Sequence, residues 1–224
     1  MIVPYVITDF LRDTRLDYQV SDKREYLTRF DDHAHLEVGG FSDSAGTHFS
    51  RLKDSTQLIQ VGERFIISAE IELPVDFYDR QESSLKLVTV GQENPYRRMG
   101  LWIDSAGYPR LQAETKGSSL KLLWQGTQKL PTGRSEIKVE FIPSPTDGDA
   151  LTRLYLNGTI CAESTKGNFI AGGSGYVVNR LVWGMDGAAG QDTKRMALDF
   201  YSVGVEVPAH ELKISIEITD ANNR

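Results

Sequence analysis

A chain of 224 residues, 40% of them hydrophobic, is long enough to bury the core of one large β domain, and one domain is the simpler count. Its 31 acidic and 25 basic residues leave a net charge of -6 without any basic cluster, which argues against nucleic acid as a partner. A lone cysteine, Cys161, excludes an internal disulfide framework and a Cys-rich metal site, and its strand context predicts a small core residue.

The opening "MIVPYVITDFLRD" has no basic region followed by an apolar run. That pattern predicts neither a secretory signal nor membrane insertion, and synthesis in the cytoplasm is the expectation. A short helix is predicted only here, within "ITDFLRDTRLDY". Alternating strands follow. "RFIISAEIELP" places Phe65, Ile67, Ala69, Ile71 and Leu73 on one face and Ser68, Glu70 and Glu72 on the other, and Pro74 closes it. "MGLWID" sets Met99, Leu101 and Ile103 against Trp102 and Asp104. After the turn at Ser105-Ala106-Gly107, "PRLQAE" turns Leu111 and Ala113 inward. "EIKVEFIP" gives Ile137, Val139 and Phe141, and "RLYLNG" gives Leu154 and Leu156 against Arg153 and Tyr155. Asn157-Gly158 predicts a type I′ hairpin turn, because both positions tolerate positive φ. Trp124 and Trp183 share the parity of Leu122 and Leu181 and are expected in the core. "RLVWG", "MALDFYSVGVEV" and "LKISIEI" complete about a dozen strands, the pattern of an all-β, antiparallel two-sheet sandwich.

In this order the elements resemble the laminin G-like, concanavalin A-like jelly-roll superfamily. The resemblance rests on "RFDDHAHLEVGGF", "FIISAEIEL", "GLWIDSAGYPRLQAE", "IKVEF" with "RLYLNGTICAES", and "ALDFYSVGV". It implies a jelly-roll domain over residues 29–207, with residues 1–28 as an N-terminal extension and 208–224 as an extra strand and tail. By motif position it also implies one structural calcium ion with Asp31 and Asp199 as ligands; surface acids at strand ends are the alternative.

Some relatives of this fold are glycoside hydrolases or polysaccharide lyases. Glu70 and Glu72 have the spacing of a hydrolase carboxylate pair but lack a third acid, so an outward solvated face is the preferred reading. For the Tyr, His and Arg of a lyase the available pieces are Tyr96, Arg97, Arg98, His33 and His35, without the Gln-x-His strand motif. The expectation is therefore a non-catalytic glycan-binding or adhesion domain, with Arg98, Trp102, Arg153 and Tyr155 as ligand-binding residues. Trp102 either offers an open ring or is covered. The alternating Leu212, Ile214, Ile216 and Ile218 suggest docking of the termini on a protein partner or a second copy, as in a phage virion component. A lyase or hydrolase, and a free-standing intracellular lectin-like module, are the alternatives.

Overall fold

The computed structural model describes residues 2–14, 16–20, 27–39, 48–52, 64–82, 84–92, 97–115, 121–142, 151–165, 180–187 and 195–208. They form a two-sheet antiparallel jelly-roll sandwich. The eight-stranded sheet contains β1 (Ile2–Ile7), β3 (Leu27–Arg29), β4 (Ala34–Gly39), β6 (Phe65–Leu73), β11 (Gly133–Ile142), β12 (Leu151–Leu156), β13 (Thr159–Ser164) and β15 (Arg195–Pro208). Its order is β13-β12-β11-β6-β15-β4-β3, and β1 joins the far half of β15. The seven-stranded sheet runs β10-β9-β8-β7-β14-β5-β2. Here β2 is Leu16–Val20, β5 His48–Leu52, β7 Leu85–Gln92, β8 Arg97–Ile103, β9 Pro109–Thr115, β10 Lys121–Gln125 and β14 Arg180–Gly187.

The predicted alternation is what holds the layers together. Along β6 every second residue from Phe65 to Leu73 is buried, and Ile137, Val139, Phe141 and Leu154 continue that surface across β11 and β12. Met99, Leu101, Ile103 and Leu111 meet it from the other sheet. A one-residue slip would expose the whole set, so the register is fixed by burial. Phe65 and Phe141 face each other across the β6–β11 ladder with ring centroids 5.3 Å apart, a contact worth about 0.5–1.5 kcal/mol beyond area burial. Trp183 is fully buried and donates its indole N–H to the Ser68 carbonyl at 3.1 Å; Leu156 and Trp124 pack at the core's margin.

Several expectations are corrected. Within the predicted N-terminal segment, β1 pairs with β15 and β2 with β5, one strand in each sheet. The predicted N-terminal helix is the end of β1, a turn in which Asp9 caps the Arg12 amide, and β2. Among the described residues the helix is α1 (Phe77–Arg80), beyond Pro74. Cys161 is exposed, because a register shift in the edge strand β13 places it opposite no partner and turns it out of the core. Leu122 is exposed for the same kind of reason: a shift between Leu122 and Trp124 hands the inward position to Leu123. The tail from residue 209, with Leu212 to Ile218, and Tyr96 lie outside the described residues.

The Asn157-Gly158 turn is as predicted, with φ of 48° and 78°. Asn157 also secures the hairpin to β11, its amide N–H donating to the Glu136 carbonyl at 2.9 Å and its side-chain oxygen accepting the Glu136 amide at 2.8 Å. A Cβ at Gly158 would meet nothing within 4 Å, so substitution there tests backbone conformation alone. Gly158→Val is expected to cost at least about 1–2 kcal/mol, read as a lower urea midpoint at unchanged m-value.

Candidate active site

The two outward faces of the sandwich differ in chemistry. On the seven-stranded sheet, Trp102 projects away from Leu101 and Ile103 yet is only 3% exposed, and Thr89, Gly100, Gln112 and Val182 on the same face are buried as well. Trp102 is therefore not an open platform for a sugar. Nearby Asp104 closes the β8–β9 turn, accepting the Ala106 and Tyr108 amides at 3.0 and 2.8 Å, Gln125 Nε2 at 3.0 Å and the Arg110 guanidinium at 2.7 Å. Burial pushes its carboxyl up, but these donors outweigh burial and hold it below the usual carboxylate range. That set is structural.

The eight-stranded sheet presents polar side chains outward. One register row crosses four strands, with Arg134 of β11 opposite Glu72 of β6, Glu72 opposite Asp199 of β15, and Asp199 opposite His35 of β4. His35 Nδ1 lies 2.6 Å from Asp199 and its Nε2 3.5 Å from Glu37. Immediately beyond this row β15 gains one residue. Phe200 pairs with Ile71 and Ser202 with Glu70, so Tyr201 is the extra residue of a β-bulge. Bulges re-aim side chains. This one keeps Phe200 and Val203 buried and turns Tyr201 to the outward face, where β15 passes from its pairing with β4 to its pairing with β1.

Tyr201 gathers the surrounding groups. Its hydroxyl donates to Glu72 Oε2 at 2.9 Å, and the Arg134 guanidinium lies 3.8 Å from its ring centroid. Arg134 Nε donates to Glu70 at 2.6 Å. The His33 ring stacks on Tyr201 at 5.4 Å, and Phe30 stacks on His33 at 4.4 Å and 15°. The Phe30 amide donates to the His33 carbonyl at 2.8 Å, fixing the tight link between β3 and β4 that carries both rings. His33 Nδ1 is 2.7 Å from Asp32, a contact that holds the Asp32 carboxyl below its ordinary range. A carboxylate only accepts, so the ring donates to Asp32 from Nδ1, and Nε2 is the nitrogen left for other chemistry. The bond to Glu72 pushes the Tyr201 hydroxyl above its ordinary range, so it stays protonated at neutral pH.

A second cluster lies six residues along β6 and β11, about 20 Å away at strand spacing. Glu140 projects outward there but is only 3% exposed at its side chain. Tyr155 covers it with a hydroxyl 2.5 Å from Oε2, Arg64 with Nε 2.5 Å from Oε1, and Arg153 at 3.5 Å. Arg153 also bonds Glu163 at 2.7 Å.

The predicted ligand-binding set is thus divided. Arg153 and Tyr155 stand on the eight-stranded sheet around Glu140, whereas Trp102 stands on the other sheet, and the Arg98 side chain lies outside the described residues. Outward faces of two stacked sheets point apart, so these residues do not converge on one ligand. Asp31 accepts the Asp32 amide at 3.1 Å, while Asp199 is engaged by His35. Among the described residues no group of three or more His, Cys, Asp or Glu side chains could hold a metal ion. The described surroundings of Asp31 and Asp199 therefore do not gather the several hard oxygen ligands that calcium takes. No helix of the described residues is long and apolar enough to cross a membrane.

Tyr201 and Arg134 are missing from the sequence expectations, and Glu70 and Glu72 appear there only as a solvated face. One signal was available. In "MALDFYSVGV" the buried hydrophobic side chains fall at 196, 198, 200, 203 and 205, and the step of three between Phe200 and Val203 marks the bulge.

No family model matches the chain, and no curated protein matches it in sequence. Solved structures do match in fold. A double mutant of the alginate lyase Aly36B in complex with alginate trisaccharide is 10% identical, with 87% of this chain and 88% of that one covered and a TM-score of 0.59. The alginate lyase vAL-1 from Chlorella virus is 12% identical over 81% and 88%, with a TM-score of 0.59. The CBM2 module of the evolved Dit of Lactobacillus casei BL23 phage J-1 is 11% identical over 92% and 96%, with a TM-score of 0.54. The recurrence of alginate lyases among these neighbours runs against the expectation of a non-catalytic domain. At such identities the likeness itself shows the fold alone, a jelly-roll sandwich.

Proposed function

We propose that this chain is a polysaccharide lyase of the concanavalin A-like superfamily, cleaving a uronate-containing glycan on the outward face of the eight-stranded sheet. The observation that carries the reading is the bulge at Tyr201, which brings a protonated phenol, a guanidinium and an imidazole together. β-Elimination needs those three roles. Arg134 pairs with the sugar carboxylate and makes the neighbouring C5 proton more acidic. His33 Nε2 takes that proton as general base while Asp32 supports the imidazolium that forms. As the C4=C5 double bond forms and the C4–O bond breaks, the Tyr201 hydroxyl protonates the departing glycosidic oxygen. The Arg134 charge over the ring stabilises the phenolate left behind.

Glycan binding is supported by the carbohydrate-related neighbours, and the phage Dit neighbour supports a place on a virion. The test is incubation with a panel of uronate-containing polysaccharides, followed by ultraviolet absorbance and mass spectrometry of the products. Shortened chains ending in an unsaturated uronate are expected. Saturated products with new reducing ends would instead assign hydrolysis, with Glu70 and Glu72 as the carboxylates to examine, and would end the lyase reading.

A further inference from the structure

Resting on the lyase reading, we infer that the substrate is a mixed polysaccharide in which isolated uronates are flanked by neutral sugars, one of which stacks on Phe30. Two independent observations lead there. The first is the charge around the reacting groups. Among the described contacts of Tyr201 and its neighbours, Asp32, Glu37, Glu70, Glu72 and Asp199 supply five carboxylates and Arg134 supplies the guanidinium. A single guanidinium accommodates one carboxylate. A chain carrying a carboxylate on every unit would bring its remaining charges against five acidic side chains, and like charges in such proximity repel.

The second observation is Phe30. It is a large apolar side chain left 42% exposed, with its ring held parallel to His33. Its described stacking contact is His33, the proposed base. A flat aromatic surface of this kind suits the apolar face of a pyranose, and stacking there requires no charge on the sugar. Together, the guanidinium selects one uronate, the acidic surround rejects a second, and Phe30 supplies the neighbouring neutral unit with a surface.

The experiment compares the whole chain on alginate, in which every unit is a uronate, with gellan and xanthan, in which uronates are separated by neutral sugars. Initial rates of unsaturated-product formation are read at low and moderate ionic strength. Cleavage of a mixed polymer is expected to exceed that of alginate several-fold at about 20 mM salt, with the gap narrowing near 150 mM as the repulsion is screened. Phe30→Ala is expected to raise KM on the mixed polymer by roughly three- to tenfold, and Phe30→Tyr to restore it. Alginate cleaved at least as fast as the mixed polymers at low salt would overturn the inference and leave the lyase reading standing. An unchanged KM in Phe30→Ala would overturn the stacking role. Unsaturated product from none of the polymers would remove the lyase reading, and the inference with it.

Discussion

Tyr201→Phe is expected to lower kcat by about 10²–10⁴-fold on the preferred polysaccharide, the usual contribution of a positioned general acid, with KM changed little. The substitution removes one oxygen and keeps the ring that Arg134 and His33 contact, so near-native far-ultraviolet dichroism and melting should accompany the loss. A merely structural hydroxyl would give the opposite pattern, lower stability with activity retained per folded molecule. The pH profile separates the roles further. The bond to Glu72 keeps the Tyr201 hydroxyl above its ordinary range, so the alkaline limb of kcat should lie correspondingly high. Glu72→Gln removes the carboxylate that raises it and should move that limb to lower pH. An alkaline limb that stays put in Glu72→Gln would take the proton-donor role away from Tyr201.

Glu140→Ala is expected to be the most destabilising single change on this face, at about 3 kcal/mol by urea unfolding. The side chain is almost wholly covered, and its removal leaves Arg64 and Arg153 facing each other without their shared carboxylate and Tyr155 without its acceptor. The arginines are 39% and 30% exposed and regain some water, which places the cost at the lower end for a broken buried pair. The pH dependence has a definite sign. Burial pushes the Glu140 carboxyl up, but the Tyr155 hydroxyl and the two guanidiniums outweigh it and hold the folded-state value below the ordinary one. The stabilisation is therefore fully present above the ordinary carboxylate range and lost as the pH falls through the depressed folded value. Wild type and Glu140→Ala should differ most near neutrality and converge in acid. A constant difference from pH 7 to pH 3 would show that packing, not the ionised carboxylate, makes the contribution.

The parts of this molecule that were legible in its sequence are those governed by strict alternation. Phe65 to Leu73 and Ile137 to Phe141 could be assigned to one face because period-two burial permits no other arrangement, and Asn157-Gly158 because few residue pairs accept two positive φ values. The site was hidden where alternation fails. Tyr201 occupies a bulge, Cys161 and Leu122 lie beside register shifts, and each departs from the parity of its strand. Trp102 misled for a different reason. Parity correctly places it outside the intersheet core, but parity says nothing about whether an outward face is covered. The meeting of His33 with Tyr201, and of Arg134 with Glu70, depends on strand order, which local pattern does not encode.

The bulge on β15 also bears on how such a domain could gain or lose chemistry over evolutionary time. Removing the single codon for Tyr201 would leave Phe200 inward, Ser202 outward and Val203 inward, an uninterrupted ladder against β6. The phenol thus stands on a residue extra to the ladder, outside the inward row of Phe200 and Val203. A lineage could cross between a cleaving and a merely holding form through one in-frame deletion or insertion, without passing through an unfolded intermediate sequence. Descent traced by aligned substitutions alone would miss that crossing, because the decisive difference is a gap one residue wide.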